Sequence, residues 1–437
     1  MINKTIFKKT LAAAAIVAGL SAIQVAEAAN WLMLQGTERP GTAGRAKVWG
    51  FIQAQYQADD SEPFTHPTDG DLYIPPKLIG PNLTSQQQFN VNRARLGLRG
   101  TGMPLDSSVN YFLLAEFGNN GITANDNDAV VSDASITVNT DAVRIRTGLF
   151  KTPGPEEALQ AIHVFDYVNF TSVTNQLMLE RFPQLGDVNT ARADLALDTN
   201  KGSISAYSRP VGAFRDTGVQ FFQSYKMGGW DHSYAVMLGN GNGMNFGDTN
   251  NSKDLYLYWA SEKSFGGKGP RMQGLKIFAW SQSGKRYDAY DITTTDEQDR
   301  TRSGFGVKYL KMPFRVTFET MSGNGMIFQG QHRPQDAIND LEASGNYLDF
   351  GYYIPNSKWE VDLRVDTYTR GENHGTSAAG DESTFDTNTV AAQYHINKKS
   401  RLTMSYDMRT FASDTAAVNT QLKGVANRLA LQLTHIF

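Results

Sequence analysis

Cysteine is absent from the 437 residues, which excludes a disulfide framework, a thiolate metal site and haem attachment through a Cys-x-x-Cys-His motif. Net charge is nearly absent too. At −3 it is too small to point to nucleic acid or any other strongly charged partner. The seven histidines are scattered and show no zinc spacing. No segment reads as a nucleophile elbow, a phosphate-binding glycine loop or a metalloprotease helix, so no enzyme is expected. Two Gly/Asn/Asp-rich stretches, Gly118 to Asp133 and Gly239 to Asp254, lack the acidic spacing of an EF-hand and the repeat of a β-roll. Turn chemistry accounts for them, and neither metal nor cofactor is expected. Long apolar runs are missing as well. The best, Leu11 to Ile23, is too short to cross a bilayer as a helix.

That run has a different explanation. Lys4, Lys8 and Lys9 precede it, and Val25-Ala26-Glu27-Ala28-Ala29 follows. A basic stretch, a short apolar stretch and an A-x-A site at Ala26 and Ala28 read as a cleaved signal peptide over residues 1–28. Residues 29–44 read as a periplasmic lead-in and 45–437 as one domain.

In that domain the pattern has period two. Trp359, Val361, Leu363 and Val365 alternate with Glu360, Asp362, Arg364 and Asp366. Leu402, Met404, Tyr406 and Met408 alternate with Arg401, Thr403, Ser405, Asp407 and Arg409. The final stretch puts Leu429, Leu431, Leu433 and Phe437 on one face and Arg428, Gln432 and Thr434 on the other. These are strands with one apolar and one polar face. A soluble sandwich and a membrane barrel both allow that, and the connections separate them. Long segments (58–88, 119–131, 151–190, 241–252, 284–301, 323–345, 370–385, 412–426) alternate with tight ones such as Asp141-Ala142, Met312-Pro313 and Asn397-Lys398-Lys399. Long outer loops and short periplasmic turns are the pattern of an outer-membrane barrel, whose lipid-facing residues are every second one. The fold expected is therefore all-β, a transmembrane antiparallel barrel of about 16–18 strands. The upper figure counts a weak hairpin at 191–209.

The strand alternation turns Arg93, Arg95 and Arg99 of one strand and Arg144 and Arg146 of a nearby one inward, with Lys151 next in line, as one basic patch. Arginine stays charged and its planar fork binds oxyanions, so these six are candidate anion-guiding, pore-lining residues. An equally open reading pairs them with inward acids such as Glu116, Asp133 or Asp194. Later strands carry Arg315 with Glu319, then Glu360, Asp362, Arg364 and Asp366, which gives the pore a transverse field. The segment 151–190 opens with Pro153 and Pro155, offers a helical stretch from Glu156 to Ile162, and continues through Phe165 to Phe170. A polar-aromatic loop of this length needs a wall to pack on, and folding into the lumen supplies one. Its charged candidates are Glu156, Glu157, Asp166, Glu180 and Arg181. A lid or a subunit contact is the alternative use of that loop.

The stretches Phe89-Asn90-Val91-Asn92-Arg93-Ala94-Arg95-Leu96-Gly97-Leu98-Arg99-Gly100, Tyr111 to Phe117, Arg144 to Pro153, Glu180-Arg181, and Arg215 to Val219 followed by Leu238-Gly239-Asn240-Gly241 resemble the phosphate-selective porin O and P family. The resemblance covers about residues 45–245. It implies a homotrimeric porin of about sixteen strands in the outer membrane of a Gram-negative bacterium, whose third outer loop narrows the pore and whose basic wall guides anions. It also implies handling by the barrel-assembly machinery through Phe437. Two departures stand out: a longer stretch between Arg181 and Arg215, and an excess of acids over cations in 151–190. Passive diffusion of small hydrophilic solutes, with a preference for anions, is the expected function. A non-selective porin, a barrel that docks another envelope protein and a barrel hydrolase are the rivals.

Overall fold

The computed structural model describes residues 46–62, 64–65, 72–73, 86–101, 108–120, 122–123, 129–179, 212–244, 248, 250–267, 272–287, 297–328, 337–338, 341–372, 382–414 and 416–437. The expected signal peptide (1–28) and lead-in (29–44) both fall outside them. Period-two segments give sixteen strands: Lys47–Asp59 (β1), Gln87–Thr101 (β2), Val109–Glu116 (β3), Val130–Asn139 (β4), Arg144–Lys151 (β5), Arg215–Met227 (β6), Trp230–Gly239 (β7), Asp254–Gly266 (β8), Gln273–Tyr287 (β9), Glu297–Lys311 (β10), Phe314–Asn324 (β11), Glu342–Tyr353 (β12), Trp359–Glu372 (β13), Ser383–His395 (β14), Ser400–Ser413 (β15) and Arg428–Ile436 (β16). Each pairs antiparallel with its neighbours, and β1 pairs with β16 to close the ring, from Phe51 opposite Ile436 to Asp59 opposite Arg428. Closure leaves no strand edge unpaired, as the interior of a bilayer requires of any sheet that crosses it.

The count of eighteen is corrected here. β5 pairs directly with β6, from Arg144 opposite Phe222 to Lys151 opposite Arg215. Both edges on which a 191–209 hairpin would have to pair are already taken. That segment lies outside the described residues.

The faces follow the alternation. On β13, Trp359, Val361, Leu363 and Val365 are exposed, whereas Glu360, Asp362, Arg364 and Asp366 are buried. On β16, Leu429, Leu431, Leu433 and Phe437 are exposed, and Arg428, Gln432 and Thr434 are buried. An apolar outside and a polar inside are what a lipid-facing wall around a polar interior demands.

The inner face also holds rings seated over glycines of the adjacent strand. A Cβ added at Gly306 on β10 would come within 2.3 Å of the Phe278 ring on β9 and 2.7 Å of the Phe318 carbonyl on β11. Gly306→Val should therefore destabilise the barrel by about 1–3 kcal/mol, the usual effect of overpacking. The guanidinium midpoint of the folded barrel in detergent reads this, and an unchanged midpoint would refute it.

Candidate functional site

The third outer connection, between β5 and β6, carries the candidate site. Its described parts are 152–179 and 212–214, and the first packs against the buried face of the wall on several sides. It contains a short helix Glu156–Leu159 (α1), a 3-10 turn Ile162–Val164 and a π-helical turn Thr174–Met178. The helical stretch is shorter than the sequence suggests. Gln160 leaves helical conformation (φ −58°, ψ 147°), and Ile162–Val164 tightens separately.

Each acidic candidate within this part meets cations of the wall. The Glu156 carboxylate accepts from Lys276 on β9 and from Lys308 on β10, the latter at 3.0 Å. Burial would raise its pKa, but the two lysines outweigh that and hold it at about 2. Glu157 accepts from Arg364 on β13 at 3.3 Å and from the Thr171 hydroxyl at 2.5 Å. For Glu157 burial prevails over these partners, and its pKa is raised. Asp166 lies 3.3 Å from Arg315 on β11 and 4.0 Å from Arg401 on β15. Neutral contacts complete the circuit: Tyr167 donates to Asp349 on β12 at 2.5 Å, and Asn169 accepts from Gln57 on β1 at 3.3 Å. His163 sits against Phe51, and burial, then Arg401 and Arg95, lower its pKa to about 4. Glu180 and Arg181 lie outside the described residues.

The six basic candidates share one side of the ring. Arg93 donates to Gln53 at 3.0 Å, and Arg95 pairs with Glu116 at 2.7 Å. Arg99, opposite Lys47 of β1 and Phe112 of β3, is half-buried. The Arg144 and Arg146 guanidinium groups lie 4.7 and 4.5 Å from the Phe222 ring centre, a cation–π arrangement. Lys151 donates to the carbonyls of Ala158 and Gln160 at 2.5 and 2.7 Å, so it ties the loop to its own strand. Sequence reasoning missed Arg215, which pairs with Asp133 at 3.0 Å. Pairing with Glu116 and Asp133 is thus part of the arrangement. These seven cations face Glu116, Asp133 and Asp216 among the described acids of β2 to β6.

Half the ring away, β11 to β13 present buried Glu319, Asp349, Glu360, Asp362 and Asp366 with Arg315, Arg364 and Arg370. Arg315 is the hub there: 2.6 Å from Asp349, 2.6 Å from Asp362 and 3.5 Å from Glu360. Sequence alternation also missed the inward aromatics Tyr256, Tyr258, Phe278 and Trp280. On β8 both faces are apolar, because Leu257 and Trp259 point outward. No polar residue between them marks the inner side. Leu159, Val173, Leu177 and Met178 of the loop join Tyr258, Phe278 and Trp280 in one buried apolar cluster.

A closed sixteen-stranded barrel with an apolar exterior and a charged interior is a barrel of the outer-membrane type. Among solved structures, the chain is similar to the outer membrane channel DcaP of Acinetobacter baumannii, with 13% identity over 92% of this chain and 100% of that one (TM-score 0.52). It is similar to Salmonella typhi OmpF in complex with daunomycin, with 11% identity over 90% and 97% (TM-score 0.51). The trimer form of OmpT, an outer membrane protein of Vibrio cholerae, gives 10% identity over 90% and 99% (TM-score 0.50). These are likenesses of fold. No family model matches the chain, and neither does any curated protein.

Proposed function

We propose that this chain is an outer-membrane porin that lets small hydrophilic solutes diffuse passively, with a preference for anions, phosphate-like oxyanions included. The observation that carries the reading is the uneven interior. Among the described residues, seven inward cations outnumber three acids on β2 to β6, whereas five acids outnumber three arginines on β11 to β13. Cations in a narrow, low-dielectric passage replace part of an anion's hydration and raise its local concentration. In this reading Arg93, Arg95, Arg99, Arg144, Arg146 and Lys151 guide the solute, and the loop carrying Glu156, Glu157, Asp166, Glu180 and Arg181 narrows the pore. The family resemblance supports a homotrimer set in outer-membrane lipid, exported by a signal peptide over residues 1–28 and inserted through Phe437. The chain acts as a channel and not as an enzyme.

Reversal potentials in planar bilayers under a potassium chloride gradient test this. The wild-type channel should favour chloride. Changing Arg93, Arg95 and Arg146 to Ala should lower the anion-to-cation permeability ratio by about fivefold or more, given about 1 kcal/mol per unit charge at contact in water. A cation-selective wild type would overturn the anion preference.

A further inference from the structure

The π-helical turn Thr174–Met178 is held from three sides. At its start, Thr171 caps it: the Thr174 amide donates to the Thr171 hydroxyl oxygen at 3.2 Å, and Glu157 in turn accepts from the Thr171 amide at 3.2 Å. At its end, Arg302 of β10 donates to the Leu177 carbonyl at 3.3 Å and to the carbonyls of Gly325 and Met326 at 2.9 and 3.0 Å. On its apolar side, Val173 and Leu177 are four residues apart and so share a face. That face enters sockets in the wall that exist only because two residues lack side chains. A Cβ at Gly345 on β12 would lie 2.7 Å from Val173 Cγ2, and one at Gly323 on β11 would lie 2.9 Å from Leu177 Cδ1. Both apolar side chains are almost wholly buried.

Asn175 and Gln176 of the same turn are buried as well. Both line a small cavity of about 20 Å³ together with Arg364, Arg409, Arg428 and Asp407. In this cavity Arg428 is paired with Asp407 at 2.9 Å, and Arg409 with Asp59 at 2.6 Å. The two carboxamides are thus neutral groups presented among balanced charges, where one added charge changes the sign of the whole.

Building on the porin reading, we propose that Asn175 and Gln176 are specificity-determining residues of the permeation path, positioned by the glycine sockets at Gly323 and Gly345. The sockets fix where the pair stands, and the neutrality of the pair keeps this balanced site from turning negative toward an anion.

The test is Asn175→Asp, which is isosteric and adds one negative charge. Its anion-to-cation permeability ratio should fall about threefold against wild type, as expected for a unit charge several ångströms from the solute in water-like dielectric. Gly345→Leu, which fills the Val173 socket, should make the same substitution nearly silent when the double variant is compared with Gly345→Leu alone. A conducting wild type with a silent Asn175→Asp overturns this proposal and leaves the porin reading standing. An equal shift in both backgrounds overturns the socket mechanism. A wild type that conducts no ions fails the porin reading, and this proposal with it. Should Gly345→Leu not fold, the cysteine-free chain offers a second route: Leu177→Cys with Gly323→Cys should crosslink on mild oxidation. Failure to crosslink overturns the placement of the turn.

Discussion

Arg315→Met should lower the stability of the barrel by about 3–5 kcal/mol, the range for removing one partner of a buried ion pair. Arg315 is buried and stands within 3.5 Å of four carboxylates, those of Asp166, Asp349, Glu360 and Asp362. Without it those acids face one another, with Arg401 at 4.0 Å from Asp166 and with Tyr167, Gln393 and His395 as further partners. The loss should also loosen the third outer loop, because Asp166 is one of its anchors. Guanidinium unfolding in detergent measures the first effect, and protease cleavage within 152–179 the second. Arg315→Lys keeps the charge but not the fork that reaches several acids at once, so it should fall between wild type and Met. An unchanged midpoint in the Met variant would sink the idea of a hub.

Acid should release the same loop from another side. The folded-state pKa of Glu156 is lowered to about 2 from an ordinary value near 4.5. A depressed carboxylate contributes stability that is fully present above the unfolded value. That contribution is lost as pH falls from about 4.5 through about 2. Its size is on the order of 3 kcal/mol at neutral pH. Glu156→Gln should show most of that loss already at pH 7, because Lys276 and Lys308 are then left without their acid. The variant should also lack the corresponding acid-dependent fall. Glu157, whose pKa is raised, has the opposite sign: its contribution grows as pH falls. Comparing wild type with Glu156→Gln across the acid range isolates Glu156 from Glu157. Parallel pH profiles for the two proteins would refute the assignment.

The sequence shows which face a residue takes far better than what it meets. On β13 the alternation places Glu360, Asp362, Arg364 and Asp366 inward, and on β16 Arg428, Gln432 and Thr434, because a charge facing lipid is costly, whereas Thr367, Thr369 and His435 fall on the outer face. The same rule is silent on β8, where Tyr256 and Tyr258 point in while Leu257 and Trp259 point out. Partners across the lumen are less legible still. Lys276 and Lys308 lie more than a hundred positions from Glu156, and no local spacing joins them. The surplus hairpin at 191–209 has the same origin. A stretch of residues can carry a strand's pattern, but the ring admits it only if two edges are free, and β5 and β6 had already joined.

The third loop has a mechanical consequence. Through Asn169 it reaches Gln57 on β1, and through Glu156 it reaches Lys276 on β9, half the circumference away. A hollow cylinder flattens easily under uneven lateral pressure, whereas one braced across its bore resists becoming oval. In the proposed porin the brace and the constriction would be the same segment, so membrane thickness and tension would have little purchase on the width of the passage.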